Sequence, residues 1–68
     1  RLEVVREKAA HRIEADVDPR NDRSLRLLER LGFRREGHLR ERYHMNGERQ
    51  DAIMLAMLRS EWTSDRHP

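Results

Sequence analysis

The first ten residues carry apolar side chains at helical spacing. Leu2, Val5 and Ala9 are three and four residues apart, and charged residues fill most of the positions between them. Side chains at this spacing share one face of an α-helix. The pattern predicts that residues 1–10 are the last turns of a helix, and because no start signal precedes them we expect this helix to begin earlier in a longer chain.

A strictly alternating pattern follows. Ile13, Ala15 and Val17 alternate with charged residues, so that a strand here would have one apolar and one charged face. Pro19 has no backbone N–H to donate to a neighbouring strand and therefore ends the element. The pattern predicts a strand from His11 to Asp18.

The next element is a helix with a signal at each end. Asn21 is a favoured N-cap residue, and Asp22 suits the positive end of the helix dipole. At the other end, Gly32 can adopt the left-handed conformation of a C-cap, and Phe33 can supply the apolar contact of a Schellman ending. The apolar stripe of this predicted helix consists of Leu25, Leu28 and Leu31, with Leu27 beside it.

An irregular extended stretch over residues 33–45 leads into a hairpin. Asn46 and Gly47 form a strong two-residue turn signal, because both tolerate positive φ. The return segment from Gln50 to Leu58 carries a near-continuous apolar run, which is typical of a strand covered on both faces. A helix over the same residues is the alternative, and the hairpin turn favours the strand.

The predicted order is helix, strand, helix, strand, strand. The helix between the first two strands allows a crossover, and the last two strands pair antiparallel. The fold class that this order predicts is α+β with a mixed sheet. The tail from Thr63 to Pro68 is expected to fray.

Composition places limits on this domain. The chain has 68 residues, of which 41% are charged and 35% hydrophobic. A chain of this size buries only about 60% of the surface that it exposes when unfolded. The formal net charge of +2 argues against disorder. We therefore expect a folded domain that is not stable alone.

Several classes of protein are excluded. The chain has no cysteine, which removes disulfide scaffolds, thiolate zinc sites and cysteine nucleophiles. It has no apolar run near the roughly 20 residues of a membrane span and no signal-peptide pattern. We expect a cytoplasmic piece of a longer protein, since the first residue is Arg1 rather than methionine.

Metal and phosphate sites are also disfavoured. The glycines form no phosphate-binding loop, and the histidines stand in no metal-ligand pair, so we expect no metal. The arginine-rich segment 34–42 could be a nucleic-acid strip. Glu36 and Glu41 interrupt it, however, which favours a solvated strand face. The histidines are His11, His38, His44 and His67.

One segment stands out. Residues 21–37 read NDRSLRLLERLGFRREG, for which helix capping alone would be a sufficient physical account. The string also closely resembles the N-x-x-S-x-x-x-x-E-[KR]-x-G-F-x-x-E-G signature of the GNAT acetyltransferases. The most similar branch is that of the ribosomal-protein N-terminal acetyltransferases. The resemblance covers about residues 9–62 and continues through Leu39-Arg40, Asn46-Gly47, Asp51 and Glu61-Trp62.

The resemblance implies a division of the chain. Residues 1–62 would be the C-terminal portion of a single GNAT domain, and residues 63–68 its tail. The family's pyrophosphate loop, of the [QR]-x-x-G-x-[GA] kind, would lie upstream of Arg1. We therefore expect the 68 residues alone to have little or no activity.

The resemblance also implies roles for individual residues. Asn21 would hydrogen-bond the pantetheine arm of acetyl-CoA. Ser24 would lie near the sulfur and protonate the departing thiolate. Arg30 and Arg26 could reach the CoA phosphates.

The general base is left open. Some members of the family place a glutamate four residues before the hairpin glycine, where this chain has Tyr43. Tyr43 is thus a candidate catalytic residue, and Glu41 or a water is the substitute. We interpret Asp51 as structural, tying the hairpin to its neighbours.

The expected function is transfer of an acetyl group from acetyl-CoA to a primary amine, either a protein N-terminus or a small molecule. A basic nucleic-acid-binding module and a non-catalytic dimerisation fragment are the alternatives. We also expect a homo-oligomer, because the strand His11 to Asp18 would have an unpaired edge without its neighbour.

Overall fold

Two hairpins and one long helix make up the fold. The structure is a computed structural model that describes residues 2–62, and the tail predicted from Thr63 to Pro68 lies outside them. The four strands form one sheet in the order β1-β2-β4-β3. The elements are β1 (Glu3–Lys8), β2 (Arg12–Val17), α1 (Asp22–Leu31), β3 (Arg34–Met45), β4 (Glu48–Leu58) and α2 (Arg59–Trp62). The α+β class is confirmed.

The predicted first helix is wrong, because β1 is an edge strand. Ala9 and Ala10 adopt positive φ of 55° and 61° and turn the chain back on itself. β1 then pairs antiparallel with β2, from Glu3 opposite Val17 to Lys8 opposite Arg12. This pairing gives hydrogen-bond partners to the backbone groups on the outer edge of β2. The stabilisation from these hydrogen bonds outweighs the helical preference that the spacing of a few apolar side chains indicates.

The pairing of β1 also removes the edge from which self-association was predicted. The strand predicted from His11 to Asp18 lies between β1 and β4, so its backbone is paired on both sides. Its apolar residues Ala15 and Val17 are fully buried. The prediction that copies associate through the edge of this strand is therefore wrong. Association through another surface stays a prediction.

The sheet is antiparallel rather than mixed. All three neighbouring strand pairs in the described part of the chain are antiparallel. β2 and β3 do run in the same direction, because each is antiparallel to β4, and α1 connects them. β4 inserts between them, however, so the crossover produces no parallel neighbours.

Both caps of α1 are confirmed. The side chain of Asn21 accepts a hydrogen bond from the backbone N–H of Ser24 at 3.2 Å. Gly32 has φ of 109°, and its N–H donates to the carbonyl of Glu29 at 3.1 Å. The N–H of Phe33 donates to the carbonyl of Leu28 at 3.0 Å, which completes the Schellman motif.

The two faces of the sheet differ. One face, called the helix face, is covered by α1, and the core lies between α1 and this face of the sheet. The other face is called the far face here. β4 has buried residues on both faces, as its unbroken apolar run predicts. The core consists of Ala15, Val17, Leu25, Leu28, Ile53 and Leu55, with Phe33 packed against it.

The Asn46-Gly47 turn is confirmed as well. Both residues have positive φ, at 52° and 78°. The short helix α2 at the end of β4 was not predicted. No helix in residues 2–62 is long and apolar enough to cross a membrane.

Candidate functional site

Asn21 and Ser24 lie together at the N-terminus of α1, where the family resemblance implies a site for acetyl-CoA. The Asn21 side-chain oxygen is used by the cap, so its NH₂ group is what it can offer to a ligand. The Asn21 N–H donates to the carbonyl of Asp18 at 2.8 Å, which fixes the entry to the helix. Both side chains are half-buried and reach the surface.

The Ser24 hydroxyl has a partner of its own. Its Oγ donates to Oε1 of Glu3 at 2.9 Å, so the one hydroxyl proton points at a carboxylate of β1. Sequence reasoning did not predict this contact, because it assigned β1 to a helix. Any proton donation from Ser24 to a ligand requires this hydrogen bond to open.

Arg26 and Arg30 lie one turn apart on the exposed side of α1. Residues four apart share a helix face, so the two guanidinium groups present a short cationic stripe. Within the part of the chain that the structure describes, neither forms an ion pair. The stripe is therefore available to an anionic ligand that runs along the helix.

Tyr43 lies on the far face, bound to a buried carboxylate. Its hydroxyl donates to Oδ2 of Asp16 at 2.5 Å, and Asp16 is 0% exposed. A guanidinium nitrogen of Arg6 lies 3.1 Å from the other carboxylate oxygen, and Nε of Arg42 lies 3.5 Å from Oδ2. Asp16 thus has partners on both of its oxygens.

These contacts shift both pKa values. Burial alone raises the pKa of Asp16, but hydrogen bonds from Arg6 and Tyr43 and the charges of Arg6 and Arg42 outweigh it and lower that pKa. Burial, followed by the hydrogen bond to Asp16 and its charge, raises the pKa of Tyr43. A phenol that stays protonated and already donates its proton is poorly suited to be a general base.

The cluster around Asp16 extends along the far face. Arg6 also pairs with Glu14 at 2.9 Å, and Arg12 pairs with Glu14 at 2.8 Å and with Glu36. This far-face cluster connects β1, β2 and β3 across β4. Its signal in the sequence is the alternation of charged residues with Ile13, Ala15 and Val17 on β2. The contribution of β1 was missed because residues 1–10 were predicted to be helical.

Ser24 and Tyr43 are consequently not brought together. Ser24 contacts Glu3, which is paired with Val17 on the helix face. Tyr43 contacts Asp16, which points to the opposite side because neighbouring residues of a strand alternate between faces. The two candidate catalytic residues lie on opposite faces of the sheet.

A second polar site lies where β3 bulges away from β4. The register shifts between Leu39 and Tyr43, and Glu41 inside this bulge has φ of 51°. Asp51 holds the bulge: its Oδ1 accepts from the Glu41 N–H at 2.8 Å, and its Oδ2 lies 2.8 Å from Nε2 of His38. Asp51 thus connects the two strands of the β3-β4 hairpin to each other.

The bulge borders an open cavity of about 820 Å³. The backbone N–H of Glu41, and then the His38 hydrogen bond, lower the pKa of Asp51, so this carboxylate is ionised at neutral pH. No motif in the sequence marks His38. The lining residues are His38, Leu39, Arg40, Glu41, Arg42 and Asp51.

Similar proteins are found by sequence, although no family model matches the chain. The Probable N-acetyltransferase YjcK of Bacillus subtilis is 50% identical over 48 residues, which are 71% of this chain and 26% of that protein. The [Ribosomal protein uS5]-alanine N-acetyltransferase of Escherichia coli is 39% identical over 56 residues, 82% of this chain and 29% of that enzyme. The chain thus spans a little over a quarter of the length of these relatives.

Solved structures agree with the sequence relatives. The crystal structure of a probable acetyltransferase of the GNAT family from Chromobacterium violaceum matches with a TM-score of 0.73 and 32% identity. The match covers 82% of this chain and 28% of that one. The signature of residues 21–37 includes α1 with both of its caps. Sequence and fold together show that the chain belongs to the GNAT superfamily of N-acetyltransferases, with a resemblance to its ribosomal-protein acetyltransferase branch.

Proposed function

We propose that this chain is part of an enzyme that transfers an acetyl group from acetyl-CoA to a primary amine. The observation that carries the proposal is the placement of Asn21 and Ser24, side by side and half-buried, at the capped N-terminus of α1. A protein N-terminus is the acceptor that we favour, because a relative at 39% identity is an N-acetyltransferase of an alanine on ribosomal protein uS5.

The reaction defines what the site has to do. The amine nitrogen attacks the carbonyl carbon of the thioester, a C–N bond forms, and the C–S bond breaks. The amine loses a proton to a base, and the sulfur leaves as a thiolate that needs a proton or a hydrogen-bond donor. The site therefore needs a base near the amine nitrogen and a hydrogen-bond or proton donor near the sulfur.

Ser24 is the donor that we assign to the sulfur. Its hydroxyl stands in the first turn of α1, where the positive end of the helix dipole stabilises a developing thiolate. The hydrogen bond to Glu3 opens when the co-substrate binds, and the hydroxyl turns to the sulfur. Glu3 is exposed on an edge strand and can become solvated at little cost.

The remaining contacts position the co-substrate. The NH₂ group of Asn21 is the donor available to an amide carbonyl of the pantetheine arm. Arg26 and Arg30 offer their cationic stripe to the phosphates further along the molecule. Tyr43, on the other face, holds Asp16 and thereby the sheet beneath the site.

The test is an acetyl-transfer assay on a protein of the relatives' length that carries these residues. It uses acetyl-CoA, a thiol reagent and a panel of amines that includes a peptide with N-terminal alanine. We expect turnover with at least one amine and only background release of thiol from the 68-residue chain alone. Absence of transfer to every amine would contradict the proposal.

The role of Ser24 is tested in the same assay. We expect Ser24→Ala to lower kcat by about 10²- to 10⁴-fold with a smaller change in the KM for acetyl-CoA, because protonation of the thiolate is a transition-state role. Arg23→Ala, at the neighbouring exposed position of the same turn, is the matched control and keeps kcat. Unchanged kcat with a lower Tm in Ser24→Ala would show a capping role only.

A further inference from the structure

We propose that His38, oriented by Asp51, is the general base that takes the proton from the acceptor amine in the cavity beside the β3 bulge. The inference rests on the proposed acetyl-transfer function and fills the position that Tyr43 leaves open. The proton moves from the amine nitrogen to the free ring nitrogen of His38 as the C–N bond forms, and His38 later releases it to solvent.

The contact between His38 and Asp51 selects the ring nitrogen that reacts. Nε2 of His38 lies 2.8 Å from Oδ2 of Asp51. A carboxylate accepts hydrogen bonds, so the neutral ring carries its proton on Nε2 and leaves Nδ1 with a lone pair. A carboxylate in this position also stabilises the imidazolium that forms when Nδ1 takes up a proton.

Asp51 is itself held in place. Its second oxygen accepts from the backbone N–H of Glu41 at 2.8 Å, inside the bulge of β3. This contact and the one to His38 keep its pKa below the usual value, so the carboxylate is charged over the pH range in which an imidazole titrates. The bulge thus fixes an ionised partner behind the imidazole.

The register of the sheet places His38 on the same face as Ser24. His38 is paired with Ile53, Ile53 with Val17, and Val17 with Glu3, which form one row across the four strands. Ile53 and Val17 belong to the core beneath α1, so the row lies on the helix face. Glu3, at the other end of the row, accepts the hydrogen bond of Ser24.

The separation along this row suits an acyl transfer. Neighbouring strands are about 4.8 Å apart, so the backbones at the ends of the row are roughly 14 Å apart. A base and a thiolate donor serving one thioester lie roughly 9 Å apart, since each is about 3 Å from its own atom and the reacting atoms start about 3 Å apart. A serine and a histidine side chain are together long enough to span the difference.

The cavity gives an amine access to His38. The His38 side chain is 52% exposed and lines the open volume of about 820 Å³. Charged groups of both signs line the same cavity: Asp51 from β4, and Arg40, Glu41 and Arg42 from the bulge. Further along the helix face, Glu29 of α1 and Arg35 pair with each other at 2.7 Å.

The test compares pH profiles of kcat/KM for the protein of the relatives' length. The wild type is expected to show an acid limb, because a protonated His38 cannot accept the proton of the amine. His38→Gln should lower kcat/KM by about 10²-fold or more and abolish that limb. Asp51→Asn keeps an oxygen for the Glu41 N–H but removes the charge, so the limb should move to lower pH.

His44→Gln is the matched control. His44 is an exposed histidine on the same strand, and it should keep both the rate and the acid limb. Added imidazole should partly restore the activity of His38→Ala.

Should a variant fail to fold, nitrogen chemical shifts of His38 in the wild type report its tautomer directly. A ring protonated on Nδ1 when neutral, or an unchanged acid limb in His38→Gln, would overturn the inference while leaving acetyl transfer intact. A wild type that acetylates no amine would instead overturn the proposed function and this inference with it.

Discussion

At the scale of single residues, Asp16 shows how far a local pattern can mislead. It alternates with apolar residues on β2, which is the signature of a solvated charged position. In the structure it is 0% exposed, because Arg6 and Tyr43 reach it from two other strands and Arg42 lies beside it. A buried carboxylate is stable only with such partners.

We predict that Tyr43→Phe lowers the free energy of unfolding at pH 7 by about 1–3 kcal/mol, because it removes a hydrogen bond to a buried charge. The pKa of Asp16 is lowered in the folded state, so its contribution is present above the unfolded pKa of about 3.9 and is lost as the pH falls through the lowered value. The difference in the free energy of unfolding between the wild type and Tyr43→Phe should therefore shrink under strongly acidic conditions. Urea unfolding at pH 7 and at about pH 2 measures both effects.

His44→Gln serves as the control for this measurement, since it changes an exposed neighbour of Tyr43. It should leave the unfolding free energy at both pH values unchanged. An equal cost of Tyr43→Phe at both pH values would mean that the contribution of the phenol hydroxyl does not depend on the charge of Asp16.

At the scale of elements, β1 is the decisive case. Its turn places two alanines in the left-handed region, with φ of 55° at Ala9 and 61° at Ala10. An L-residue there costs roughly 1–2 kcal/mol relative to the right-handed conformation, and glycine does not incur this cost. The pairing of β1 with β2 must outweigh the strain.

We predict that Ala9→Gly raises the free energy of unfolding by about 1 kcal/mol, because it relieves this strain. In a helix over residues 1–10 the same change would have the opposite sign and cost about 0.5–1 kcal/mol. Thermal unfolding followed by circular dichroism decides between the two. A lower Tm for Ala9→Gly would contradict the strand.

Gly47→Ala is the matched control at the other hairpin. Gly47 has φ of 78°, and a Cβ added there would meet no atom within 4 Å. Its cost, about 1 kcal/mol, therefore comes from the backbone conformation alone. The two substitutions should shift the Tm in opposite directions.

At the scale of the whole molecule, the sheet still has two edges, although β2 is not one of them. β1 and β3 are the outer strands, and β1 carries Val5, whose side chain is 55% exposed. α1 adds Leu27 and Leu31, also exposed. A core of this size barely offsets the conformational entropy of ordering the chain, and further apolar burial between copies would help to do so.

We predict that the 68-residue chain self-associates at micromolar concentration and that Val5→Lys shifts it towards the monomer. A lysine on an edge strand opposes strand pairing with another chain. Sedimentation velocity measures the distribution, with Glu7→Asp, which keeps the charge on the same strand, as the control that should leave it unchanged. A monomer of 8.2 kDa that unfolds cooperatively would contradict the prediction.

The sequence by itself determined the elements whose signals are local. Asn21 and Gly32 bound α1, Asn46-Gly47 turns the hairpin, and the unbroken apolar run of β4 predicts its burial on both sides. Each of these depends on the conformational preferences of a few adjacent residues or on one element's own pattern. Residues 21–37, which include α1 and its caps, carry the GNAT signature, so the family could be inferred before the fold was known.

Only the tertiary structure decided the partners. Residues 3–8 became a strand because β2 had backbone groups to pair with, and β4 entered between β2 and β3 to give an antiparallel sheet. The same arrangement buried Asp16, put Tyr43 on the far face and joined His38 to Asp51 across the bulge. These contacts connect residues 13 or more positions apart in the chain. Their energies depend on burial and on the approach of distant charges, which no local pattern of side chains contains.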